Sequence, residues 1–225
     1  CYIHGNPKKN TIRGIAISSG RTAVIDCYVS DFHHLTVGYD SQAIMIVNSP
    51  GVIKIANNYL EASGENIMIG GIDPAITNLV PADIEFTGNH FYKPFTWRVG
   101  HASYAGYAWR VKNLFELKYG RRILIQGNIF ENNWEHAQTG TAINIKTCNQ
   151  NGGHPLSQTA DVTFSYNIVR HSASAIGIGA TDNPGSSLIT SKIKISNNIF
   201  DDINAAPYPT GYGGANAIGA FIHTV

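Results

Sequence analysis

Ile123-Leu124-Ile125-Gln126-Gly127-Asn128-Ile129-Phe130 holds the unit from which this chain is built. It reads as a short apolar strand, two residues, an asparagine, one residue and a further apolar residue. The unit returns as Ile53-Lys54-Ile55 with Asn58 and Leu60, and as Ile84-Glu85-Phe86 with Asn89 and Phe91. It returns again as Val162-Thr163-Phe164 with Asn167 and Val169, and as Ile193-Lys194-Ile195 with Asn198 and Phe200. The asparagines at 58, 89, 128, 167 and 198 are spaced 31, 39, 39 and 31 residues apart. Weaker copies precede them: Val24-Ile25 with Cys27 and Val29, and a truncated start, Cys1 with Ile3. A second strand signal lies between copies, as in Ala43-Ile44-Met45-Ile46, Asn66-Ile67-Met68-Ile69, Ala142-Ile143-Asn144-Ile145 and Ala175-Ile176-Gly177-Ile178.

Strands this short bury one face only, and none makes a core alone. Stacking one copy on the next, about 4.8 Å apart, aligns them in parallel sheets around a shared interior. The pattern predicts an all-β chain, a right-handed parallel β-helix (a solenoid) of about six to seven coils, forming one domain over 1–225. The asparagines should form a hydrogen-bonded column at a corner, in the left-handed conformation a tight turn needs. Phe91 and Phe130 should stack inside. A β-propeller would need about four strands in each repeat of about 40 residues, with hairpin turns that are absent here. A leucine-rich repeat lacks its leucine spacing. The chain starts and ends mid-pattern, so the natural protein is expected to be longer, or to cover its open coil ends by self-association.

Composition narrows the function classes. Hydrophobic residues are 43% and charged residues 14%, against a globular average of about 25% charged. Sixteen Lys and Arg against 15 Asp and Glu give a net charge of +1, which argues against a nucleic-acid binder driven by phosphate neutralisation. No apolar run is long enough for a membrane span. Three cysteines without a CxxC pair exclude a zinc ribbon, while Cys1 and Cys27, one coil apart, fall within disulfide reach or stack as thiols.

The phrases Asn57-Asn58-Tyr59-Leu60-Glu61-Ala62-Ser63-Gly64-Glu65-Asn66, Val111-Lys112-Asn113-Leu114-Phe115-Glu116-Leu117-Lys118 and Gly127-Asn128-Ile129-Phe130-Glu131-Asn132-Asn133-Trp134 resemble uncharacterised β-helix-repeat proteins frequent in Acidobacteria and soil metagenomes. More distantly, the architecture is similar to the pectate-lyase-like superfamily. The first resemblance implies the fold and a secreted setting, extracellular or periplasmic, and brings no catalytic residues. The second is a likeness of fold alone.

Chemistry is expected in the insertions. The irregular stretch 91–109 carries Lys93, Trp97, Arg98, His101, Tyr104 and Trp109. Flat rings suit sugar faces and cations suit uronate carboxylates; the other reading is a lid whose aromatics pack onto the solenoid wall. In 111–118, Val111, Asn113, Phe115 and Leu117 should face inward and Lys112, Leu114, Glu116 and Lys118 outward. Stacking then gathers Glu116, Lys118, Asn144 and Lys146 on one outer face. A lyase on a uronic-acid polymer needs a base and a cation that neutralises the carboxylate. Lys118 or Lys146 is the candidate base and Arg122 or Arg170 the candidate neutraliser; the other reading is a charge ladder that solvates the sheet.

Asp201-Asp202 and Glu131 with Glu135 are acidic pairs for hydrolysis, yet Glu61, Glu131, Arg170 and Asp201 share one turn position and read as structural. Glu61 and Glu65 with Asp73 or Asp83 form a thin candidate set for calcium, which wants six to eight oxygens. No histidine spacing marks a metal site, and no glycine-rich phosphate loop is present. The lead expectation is a secreted protein acting on a polysaccharide, with a lyase favoured over a glycosidase. The alternative is a non-catalytic glycan-binding or adhesin-type solenoid.

Overall fold

The computed structural model describes residues 1–36, 38–182 and 185–224. Its strands, in chain order, are β1 (Tyr2–His4), β2 (Arg13–Ile17), β3 (Thr22–Ile25), β4 (Tyr28–Phe32), β5 (Gln42–Ile46), β6 (Gly51–Ala56) and β7 (Tyr59–Ala62). Next come β8 (Glu65–Ile69), β9 (Ala82–Thr87), β10 (His90–Tyr92), β11 (Phe115–Leu117), β12 (Gly120–Gln126), β13 (Ile129–Asn133) and β14 (Thr141–Cys148). The last are β15 (Thr159–Ser165), β16 (Ile168–Ser172), β17 (Ser174–Asp182), β18 (Ser191–Ser196), β19 (Ile199–Ile203) and β20 (Ile222–Thr224). A single 3₁₀ turn, Phe95–Trp97, is the only helical segment among the described residues.

Each strand from β1 to β17 pairs in parallel with the strand three further on, giving two seven-stranded sheets and one six-stranded sheet. We call them the first sheet (β1 to β19), the second (β2 to β20) and the third (β3 to β18). This topology is consistent with a parallel β-helix, and each pass through the three sheets is one coil. The second strand signals of the sequence align in the second sheet, Ile44 on Ile67 and Ile143 on Ile176. One continuous apolar core runs through the middle. In it Phe91 and Phe130 stack at 4.4 Å with planes 11° apart.

The corner between the third and first sheets is two residues long in every coil, from Asp26-Cys27 to Asn197-Asn198. Its second residue is Cys27 in the first of these corners and the column asparagine in the five that follow. Asn58 Nδ2 donates to Asn89 Oδ1 at 2.9 Å, Asn89 to Asn128 at 3.0 Å, Asn128 to Asn167 at 3.0 Å and Asn167 to Asn198 at 3.1 Å. Each Oδ1 also accepts the backbone N–H of the residue one coil earlier, and each Nδ2 reaches the carbonyl of a strand one coil earlier. The left-handed residue is not the asparagine, as the sequence suggests, but its predecessor: Asp26, Asn57, Gly88, Gly127, Tyr166 and Asn197 all have φ between 54° and 68°. The asparagine is selected for its amide and its neighbour makes the bend.

Leu114 corrects a second expectation. It faces inward with Phe115, both in the core. Alternation starts only inside β11, so the corner residue before it escapes the two-residue period.

Candidate functional site

Glu116, on β11, lies beside Asn144, on β14, and its side chain points away from the core. Lys118 Nζ is 3.9 Å and Lys146 Nζ 3.6 Å from its carboxylate. Lys146 also pairs with Asp182 at 2.6 Å, and Lys118 donates to Gln150 Oε1 at 3.0 Å. The second sheet therefore gathers these residues as its register requires. Burial works against the Lys146 charge, but Glu116 and Asp182 outweigh it and hold the ammonium above the ordinary lysine range. A lysine so held stays charged at neutral pH. That suits it to neutralise an anion and not to act as a base.

Arg122 and Arg170 do not join this cluster. Arg122 lies on the outer face of the third sheet, bidentate to Asp83 at 2.7 and 2.9 Å. Arg170 lies on the first sheet, 3.1 Å from Glu131. Consecutive strands belong to different sheets, so closeness in sequence separates side chains instead of joining them. A hollow of about 830 Å³ is an open trough over the third sheet. The charges along that sheet pair with one another, as in Lys54 with Glu85 at 3.5 Å, which fits a solvated surface.

Glu65, on β8, is fully enclosed beside Glu116. Burial first, then the Glu116 charge, pushes its carboxyl above the ordinary range. Lys112 opposes this at 3.5 Å while also pairing with Asp40, and Gln42 Nε2 donates to Glu65 Oε2 at 2.9 Å. The calcium set does not assemble. Glu61 serves the first sheet, Glu65 this cluster, Asp83 the Arg122 pair, and Asp73 accepts the N–H groups of Asn151 and Gly153.

The 93–113 segment holds the residues expected to meet a substrate. Lys93 is fully buried, and its Nζ donates to Ala62 O at 2.5 Å, Ser63 O at 3.1 Å, Gly64 O at 2.8 Å and Asn66 Oδ1 at 3.0 Å. No such lysine meets a sugar carboxylate. Arg98 is likewise inside, donating to Gly211 O at 2.6 Å with its guanidinium carbon 4.7 Å from the Tyr208 ring and 5.3 Å from the Tyr212 ring. His101 stacks on Phe95 at 4.9 Å and bonds Ser103 Oγ. Tyr104 is half-buried. Trp97 and Trp109 pack with Val111 and Trp134 in a second apolar cluster. His33 stacks on Trp109 at 3.7 Å, with neither ring nitrogen hydrogen-bonded, and burial takes its pKa down to about 4. These contacts are those of a lid packed on the wall.

The lid nonetheless borders a groove of about 360 Å³, in which Trp97 and Trp109 face Tyr2, Tyr28, Asp31 and Glu61 from the first sheet. Tyr2, Tyr28 and Tyr59 share one column, with Tyr28 and Tyr59 stacked at 4.4 Å. Tyr59 Oη donates to Glu61 Oε2 at 2.8 Å and the Asp31 N–H donates to Glu61 Oε1 at 3.1 Å. Burial is the main force raising both the Asp31 and Glu61 carboxyls above their ordinary range. Sequence reasoning passed over Tyr2, Tyr28 and Asp31. Aligning the copies on the residue after the corner position would have shown Tyr28, Tyr59 and His90 as one file.

The chain matches no protein-family model, no curated protein and no solved structure.

Proposed function

We propose that the chain is a right-handed parallel β-helix of about seven coils that binds an extended carbohydrate polymer in the groove between its first sheet and the 93–113 lid. Right-handedness follows the strong rule for parallel crossovers. The groove carries the binding reading. It draws on three consecutive coils, through Tyr2, Tyr28 and Glu61, so it runs for about 10 Å across the strands. Its walls are aromatic, and few polar groups converge in it, which is the usual make-up of a small-molecule or oligomer site. An extracellular or periplasmic setting belongs to the same reading, in which the protein is a binding solenoid first.

Tyr28→Ala and Trp97→Ala are expected to retard less in native gels cast with the cognate glycan. Wild type should shift visibly, and the Tyr28 variant should keep its melting temperature. Equal retardation of wild type and both variants on every glycan tried would place the site elsewhere.

A second reading has one specific observation behind it. Lys118 and Lys146 converge on Glu116, and Lys146 is suited to hold a uronate carboxylate. A lyase there would use Lys118 as base, with Lys146 in the neutralising role expected of an arginine. It predicts a rise in ultraviolet absorbance from unsaturated products on a uronate polymer, abolished in Lys118→Met. A flat trace on pectate, alginate and glycosaminoglycans, with and without calcium, would remove it.

A further inference from the structure

Charge complementarity in the groove narrows the ligand class, and the narrowing rests on the glycan reading above. Asp31 and Glu61 are the charged side chains that line the groove, and no Lys or Arg lines it. Lys93 lies close enough to Glu61 to favour its charge, yet its ammonium is spent on three backbone carbonyls and the Asn66 amide. Trp97, Trp109, Tyr28 and Pro94 wall the site with apolar surface, so a charge arriving there meets the two carboxylates at reduced dielectric. A uronate would be repelled. A neutral sugar would leave two partly desolvated carboxylates with only His4 near Asp31 and the already engaged Lys93 near Glu61 to favour their charge.

We infer that the groove selects a glycan bearing free amines, of the deacetylated amino-sugar class, whose ammonium groups sit against Asp31 and Glu61. The main-chain N–H of Asp31 and the Tyr59 hydroxyl fix the Glu61 carboxylate in place, so it is held ready before a ligand arrives. Both carboxyls are raised chiefly by burial, the direction expected of acids that lack a cationic neighbour strong enough to offset it. An ammonium ligand supplies that neighbour.

The test is calorimetric titration of the full chain with three probes: a glucosamine oligomer, its fully N-acetylated counterpart and a uronate oligomer. The glucosamine oligomer should bind about tenfold or more tighter than the acetylated one, with the uronate weakest, and added salt should erode the preference. Asp31→Asn and Glu61→Gln should each remove most of the preference, read as the ratio of the two affinities measured on the same variant. Asparagine tolerates the φ of +62° at position 31, so the first variant should fold. Equal affinity for the amine-bearing and acetylated oligomers would overturn this inference and leave the glycan reading standing. No binding to any of the three would overturn both. A fourth titration, with oligolysine, would overturn it as well if it bound as tightly as the glucosamine oligomer, since the groove would then select amines of a peptide.

Discussion

Replacing Lys93 by methionine is expected to destabilise the protein by about 3–5 kcal/mol, far more than the loss of an average lysine. The side chain has almost the same length and apolar stem, so packing is nearly kept. What goes is the ammonium that satisfies Ala62 O, Ser63 O, Gly64 O and Asn66 Oδ1. Three of these are main-chain acceptors in a corner with only two residues between β7 and β8, so they cannot turn elsewhere. Each buried acceptor without a donor costs about 1–3 kcal/mol. Arginine should not rescue the site, because a planar fork cannot reach four acceptors arranged around one point. Urea denaturation of Lys93→Met against wild type measures this. A change under about 1 kcal/mol would mean that the corner carbonyls find water instead.

Asn128→Leu is the second large effect, with an expected loss of about 3–4 kcal/mol, and its value lies in comparison with Asn198→Leu. The Asn128 amide makes four bonds. Its Oδ1 accepts from the Asn89 N–H and Asn89 Nδ2, and its Nδ2 donates to Phe86 O and Asn167 Oδ1. Leucine is close in volume and apolar, so the corner stays filled while four buried groups each lose a bond; Asn89 Nδ2 keeps Ile55 O, and Asn167 Oδ1 keeps the main-chain N–H of residue 128. Asn198 is the last of the file, half-buried, and its Nδ2 donates only to main-chain carbonyls. Its loss should cost clearly less. Hydrogen exchange should also separate the two. The central variant should release the Asn89 and Phe86 neighbourhoods in the middle of the stack, while the end variant should loosen only the Asn167 and Phe164 neighbourhoods and its own coil near the end. Equal effects would show that the column adds independent bonds and not a connected chain of them.

The repeating part of the molecule was legible because repetition turns a weak signal into a strong one. A single Ile-x-Ile followed by asparagine says little, but five at matched spacing fix which strands pair. The gathering of Glu116, Lys118 and Lys146 followed from that alone. What defeated sequence reading was everything between the repeats. Lys93 among aromatics looks like a surface cation, and nothing local reveals that Ala62, Ser63 and Gly64 aim three carbonyls at it from the coil before. Arg122 and Arg170 looked close to the lysines, since sequence distance hides which of three sheets a strand joins. Asp31 gave no sign at all, because its partner Glu61 is 30 residues away. The groove exists only where a lid from one coil meets tyrosines from others.

The constant two-residue corner has a practical consequence for anyone who would alter this protein. Along that edge the backbone is dictated coil by coil and tolerates no inserted or deleted residue. The variation in chain length, from the single residue Ala173 to the stretch 93–114, is confined to the other two corners. Those two flanks are where affinity tags, fluorophores or grafted recognition loops can be spliced in, while the asparagine edge serves as the ruler against which such additions are indexed.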